Sequence, residues 1–175
     1  MKIKTHTLSI TSTLALCAAL FLAPHAMAES KATLDSADVT FVKHEVAAGT
    51  SAEKMAALGA EKSESAEVKA FAKMLVTDHT QANTELTALA VTKGVELSTD
   101  VDAKHVSKFE KLEKVSGAEF DKEFLAVIIS GHKKCISNFE TSAKDATDSD
   151  VKMWSAKMLP ILKAHLVTAT ELAAK

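Results

Sequence analysis

Along most of this chain, apolar positions recur with the 3.6-residue period of an amphipathic helix. From Ser36 to about Ala60 the recurring face carries Phe41, Glu45, Ala48, Ala52, Met55 and Gly59. From Ala66 to about Thr92 it carries Val68, Phe71, Leu75, His79, Ala82, Leu86 and Leu89. A shorter helical piece covers Val101 to Val115. A third long helix follows Ser116, with Asp121, Leu125, Ile128, His132, Cys135 and Phe139 in step. A fourth spans Val151 to Ala173, with Val151, Trp154, Met158, Leu162, His165, Ala169 and Leu172 in step. No stretch sustains the period-2 alternation of a strand, so no sheet is predicted.

The punctuation agrees with these spans. Ser63 to Ser65 interrupts the first helix and supplies N-cap oxygens for the second. Gly94 is a C-terminal stop. Ser116-Gly117-Ala118-Glu119 reads as a capping box. The polar run "DATDSD" is a turn rich in N-cap residues, and Pro160 inside the fourth helix predicts a kink. Two helix pairs separated by a long connection with its own short helix predict an all-α, ferritin-like four-helix bundle with a long crossover. A faint echo between Val68–Leu75 and Val151–Leu159 makes the second and fourth helices equivalent members of two hairpins.

The first 28 residues have a different pattern. "MKIK" is a basic start, "LALCAALFL" an apolar core, and Ala26-Met27-Ala28 a small-residue cleavage signature. That predicts a signal peptide over residues 1–28 and a bundle domain over 29–175. The apolar run is too short to span a bilayer. Lipidation at Cys17 is disfavoured because Leu16 precedes it where a small residue is wanted. The expected product is exported and periplasmic after cleavage following Ala28, with no transmembrane segment. Its partners are expected to be a metal ion, a second copy of the chain or another envelope protein. Cys135 is then the sole cysteine of the mature chain, so no internal disulfide is expected.

Composition narrows function further. The formal net charge is -2, and all 21 basic residues are lysines. Arginine, the usual fork for phosphates and base edges, is absent, and no basic cluster stands out, so nucleic-acid binding is not expected.

The candidate chemistry is the placement of histidines where buried apolar residues belong. His79, His132 and His165 each sit on the inferred core face of a different long helix. Acids lie on or beside similar faces: Glu45 or Glu53 in the first helix, Asp78 in the second, Asp121 in the third. An apolar core penalises every unpaired polar group, so these side chains need partners. They find them in one another, or in a metal ion held between facing helices. The predicted metal ligands are Glu53, His79, His132 and His165, with Asp78 and Asp121 as neighbours. Zinc fits three imidazoles and one carboxylate best, and copper or iron would add redox chemistry.

Other donors carry less. His132 and Cys135 form an i,i+3 pair suited to a soft ion, but such a cysteine is more often a small buried hydrophobe. Met74 and Met158 read as core, and His44 and His105 as peripheral. Residues three before the core histidines are Val76, Ile129 and Leu162, so the E-x-x-H element of di-iron carboxylate bundles is missing. Nucleophile and phosphate-loop motifs are missing too, and an enzyme is not the expectation.

With these residues in view, the chain resembles the exported bacterial family called domain of unknown function 4142. The resemblance lies in "FVKHEVAAGTSAEKMAALG", "VKAFAKMLVTDHTQANTELTALA", "SGAEFDKEFLAVIISGH" and "AKMLPILKAHL". It implies a ferritin-like bundle and marks Glu53, Asp78, His79, Phe120, Asp121, His132, Pro160 and His165. Met55 stands where the family pattern has an acid two places after Glu53. The resemblance implies no established reaction. The expected function is transition-metal binding in the core, for sequestration or envelope stress protection. The alternative is a non-catalytic structural or interaction protein of the envelope with a hydrogen-bonded histidine–acid core.

Overall fold

The computed structural model describes residues 34–98 and 103–175, so the expected signal peptide and the first residues of the expected short helix lie outside it. Five helices are described: α1 (Ser36–Lys62), α2 (Ala66–Thr92), α3 (Ala103–Glu113), α4 (Gly117–Asp145) and α5 (Ser149–Ala173).

The helix ends follow local chemistry. Asp35 caps α1 by accepting from Asp38 N, and Ser65 caps α2 by accepting from Val68 N. Asp148 accepts from Asp150 N and Val151 N, which starts α5 two residues ahead of the expected Val151. α2 ends in a Schellman motif: Gly94 takes a φ of 71°, its N–H donates to Val91 O, and Val95 N donates to Ala90 O. The expected capping box at α4 does not form. Ser116 holds the N-cap position, but its side chain makes no capping hydrogen bond. α5 continues through Pro160 as one helix.

α1 and α2 form one hairpin, α4 and α5 the second; α2 packs on α5 and α1 on α4, closing a four-helix ring. The crossover travels the length of the bundle. At its start Lys93 pairs with Asp148 and Asp150, each at 2.7 Å, at the α4–α5 turn. At its end the Lys62 ammonium donates to Glu113 O (2.6 Å), beside the α1–α2 turn. α2 and α4 therefore run parallel, the up-down-down-up order of a ferritin-like bundle with one long crossover. α3 lies in that crossover against α4 and α1.

The core is apolar at both ends. Near the α1–α2 turn, Phe120 and Phe124 stack (centroids 5.9 Å apart, planes 10° apart) over Phe71, Leu75 and Met55. At the other end Val42, Leu86, Ala90 and Val151 pack together, and Phe139 meets Phe41 edge-on at 5.3 Å. Buried acids secure the ends. Asp38 is 3% exposed and accepts from Thr147 N, Asp148 N and Thr147 Oγ1 at 3.1, 2.8 and 2.9 Å. Asp121 Oδ2 accepts from Ser65 N at 3.1 Å. Both carboxylates terminate free backbone N–H groups of a turn, which helices leave unpaired at their starts.

Gly59 has no space for a side chain. A Cβ there would fall 2.5 Å from Phe124 Cζ and 3.1 Å from Ala72 Cβ. Gly59→Ala is expected to destabilise by about 1–3 kcal/mol, even though alanine is the better helix former. Urea unfolding checks it; an unchanged midpoint would mean that Phe124 yields freely.

Candidate metal centre

His79 on α2, His132 on α4 and His165 on α5 converge between the two apolar ends. Each offers a nitrogen, and these ligand atoms all lie within 4.8 Å of one another. The rings form a triangle with centroid separations of 5.7, 5.8 and 5.4 Å. His132 and His165 are 5% and 3% exposed, and His79 is half-buried. Their shared level is set by the ring of packed helices, since the hairpins fix the axial offsets of α2, α4 and α5.

Outer partners set the tautomers. Ile128 O can only accept, so His132 Nδ1, 3.0 Å away, carries a proton. The Asp78 carboxylate lies 2.9 Å from His165 Nε2, which carries the proton of that bond. The inward nitrogens are then His132 Nε2 and His165 Nδ1, 3.3 Å apart, and each presents a lone pair if both rings are neutral. His79 Nε2 is buried with no hydrogen-bond partner. Two inward lone pairs, with the unpartnered nitrogen of a third imidazole close by, form a set that a cation would satisfy. Either a proton between His132 and His165 or a metal ion among all three satisfies it, and only the metal also serves His79. The outer bonds are those that orient metal-bound imidazoles.

Electrostatics keeps the site ready for a cation other than the proton. Burial, with His132 and His165 nearby, pushes His79 down to about 3 against the pull of Asp78. Burial likewise pushes His132 down to about 4, against its bond to Ile128 O. Both rings are neutral, ligand-competent imidazoles near pH 7.

The structure separates the expected site residues. The three histidines meet and Asp78 holds one of them. Glu53 is half-buried on α1 and is not part of the convergent set. Asp121 is not a neighbour of the set. It sits eleven positions before His132, about 16 Å along the helix, and anchors Ser65 at the bundle end. Cys135 also stays out: its Sγ donates to Glu45 Oε2 at 3.6 Å, and burial with that carboxylate pushes the thiol well above its usual range. Met74 is 40% exposed, and Met158 packs with Ile136, Phe139 and Leu162. His44 lies at the surface against Glu45 (2.9 Å). The side chain of His105 lies outside the described residues.

Two residues near the site were missed. Asn138 donates to Glu45 Oε1 at 3.1 Å. Asn83 inserts its amide against α1, donating to Val46 O at 3.2 Å and accepting from Thr50 N at 3.1 Å. Gly49 permits this, because a Cβ there would fall 2.5 Å from that amide. Both asparagines sit one turn from a core position, Asn83 at i+4 from His79 and Asn138 at i+3 from Cys135. That spacing was the available signal.

The chain matches the family described as Domain of unknown function (DUF4142) over residues 23–172, and it belongs to that family. Three solved structures share the fold. A crystal structure of a DUF305 fragment from Deinococcus radiodurans is 15% identical, with a TM-score of 0.74, covering 81% of this chain and 98% of that one. CopM in a Cu(II)-bound form is 15% identical, with a TM-score of 0.68, covering 78% and 95%. CopM in a Ag-bound form is 18% identical, with a TM-score of 0.61, covering 77% and 93%. At these identities the likeness is one of fold. Among curated proteins no relative matches. Among the described residues no helix is long and apolar enough to cross a membrane.

The depressed histidines make stability pH-dependent. In the unfolded chain each ring takes up a proton near pH 6.5, but in the folded chain His79 does so only near 3 and His132 only near 4. Below pH 6.5 the unfolded state therefore gains protons that the folded state refuses, and stability falls. The metal-free protein should hold its stability above pH 7. Between pH 6.5 and 4 it should lose up to about tenfold in the folding equilibrium per pH unit for each ring. Urea unfolding across this range in chelator checks it, and His79→Leu should flatten the curve. An equally steep curve in that variant would remove His79 as a cause.

Proposed function

We propose that this chain is an exported four-helix bundle that binds one transition-metal ion through His79, His132 and His165, for sequestration or envelope stress protection. The observation that carries it is the convergence of three imidazole nitrogens, two of them with outer bonds that leave lone pairs facing inward and the third, on His79, unpartnered. The export step is cleavage following Ala28, which gives a periplasmic product.

The donor set narrows the ion. Three imidazoles without a carboxylate in the convergent set suit zinc and copper better than iron, whose bundle sites are carboxylate-rich. The expected fourth ligand, Glu53, stands outside the set, so a coordination position stays open. Open positions belong to exchangeable or reactive ions; closed tetrahedral sites are structural. The shared fold with CopM, solved with Cu(II) and with Ag, supports copper among the candidates. Asp78 would act through His165, holding its Nε2–H and raising the basicity of Nδ1.

One further observation supports a second role, that of a structural or interaction protein. A single added proton completes a chain from Asp78 through His165 and His132 to Ile128 O without any metal. That arrangement leaves His79 Nε2 unpartnered.

Elemental analysis of untagged protein from metal-replete cells separates the two. One equivalent of copper or zinc is expected, with a melting temperature that falls on chelation. His79→Ala should lose the ion, and Asp78→Asn should weaken binding by about ten- to a hundredfold. Metal-free wild-type protein, with a melting temperature indifferent to added copper and zinc, would leave the hydrogen-bonded core as the function of these histidines.

A further inference from the structure

α1 and α4 do not close on each other along their whole length. Between them runs a cleft of about 680 Å³ whose wall includes His79. Small residues hold it open, Ala48 and Ala52 from α1 and Gly131 from α4. A Cβ built on Gly131 meets nothing within 4 Å, so this position faces open space. The wall also carries Glu45, one helical turn beyond the level of His132, as its bond to Cys135 shows.

Glu45 is an unusual lining residue. It is 6% exposed, yet its donors are Asn138 Nδ2, Cys135 Sγ and the half-exposed His44 ring. Lys108 and Lys134 line the same cleft without forming an ion pair with it. Among the described residues no lysine does. A buried carboxylate without a lysine partner is costly. Placed in a low-dielectric cleft, it concentrates field lines and raises the local concentration of cations.

We propose that this cleft is the path by which the metal ion reaches the histidines, and that Glu45 is the carboxylate that draws it in. This inference rests on the metal-binding role proposed above. The ion class is a divalent transition-metal cation. It would pass Glu45 on its way to His79, the member of the triad that lines the cleft. The competing path lies on the opposite side, past Asp78, whose side chain is 35% exposed.

Trp154, the chain's one tryptophan, lines the cleft and reports on it. Stopped-flow quenching of its fluorescence by Cu(II) measures loading in the full-length mature protein. Glu45→Gln should load about tenfold more slowly than wild type, the lower end of the range for electrostatic focusing. Its rate should also lose most of the wild type's dependence on ionic strength. Gly131→Phe should slow loading by filling the cleft, with little loss of melting temperature, since phenylalanine is a better helix former than glycine and its Cβ meets nothing within 4 Å. Both variants should reach the wild-type copper content at equilibrium. Wild-type rates in both variants, or slowing in only one, would overturn the proposal, because path and guide are claimed together. A lost equivalent of copper in Glu45→Gln would overturn it by making Glu45 a ligand. Absence of copper binding by the wild type would instead end the metal-binding role, and this inference with it.

Discussion

Three imidazoles buried at one level of an apolar bundle must be satisfied, and much of the surrounding structure follows from how that is done. Each ring is fixed from outside the triangle or opens into the cleft. His132 is held by the carbonyl one turn before it on its own helix, and His165 by the carboxylate that α2 places next to His79. Asp78 and His79 are sequence neighbours, yet they serve different helices. One reaches α5 and the other turns inward. The dipeptide thus joins the two hairpins at mid-height, where neither apolar end does so.

The ends have their own solutions, which leave the middle free to be polar. Asp38 gathers the N–H groups of the α4–α5 turn and Asp121 that of the α1–α2 turn, so acids on one hairpin cap the other. Between these clamps the aromatic pair Phe120 and Phe124 and the Val42–Leu86–Val151 group supply the burial. Apolar ends with a polar middle hold the three rings at one level of the bundle.

The cost of that arrangement falls on the α1–α4 face. Asn83 ties α1 to α2 through backbone atoms at Gly49, and small residues face α4 across the cleft. Closing this face with large side chains would gain burial but would seal His79 from solvent. The bundle forgoes that packing, and a buried carboxylate sits in the opening.

The helices were legible because their periodicity, caps and stops act over a few residues. α2 matches its expected span, and α1, α4 and α5 differ only at their ends. The capping box at Ser116 failed because Gly117 adopts a positive φ of 62°, and the Ser116 side chain makes no capping bond. The three histidines were legible as a set because helical phase puts each on a core face. Glu53 and Asp121 shared that kind of evidence and still did not join them. Phase gives a residue's angle about a helix axis and says nothing of its height. Height is decided by hairpin length, crossover length and the offsets at which side chains interlock, all of them long-range. By itself the sequence thus determined the helices, the ferritin-like class and the three imidazoles. Only the tertiary structure decided that those three share one level, that Asp78 orients His165, and that α1 stands off from α4. The first group depends on neighbours within a turn or two of chain, and the second on packing between helices far apart in sequence.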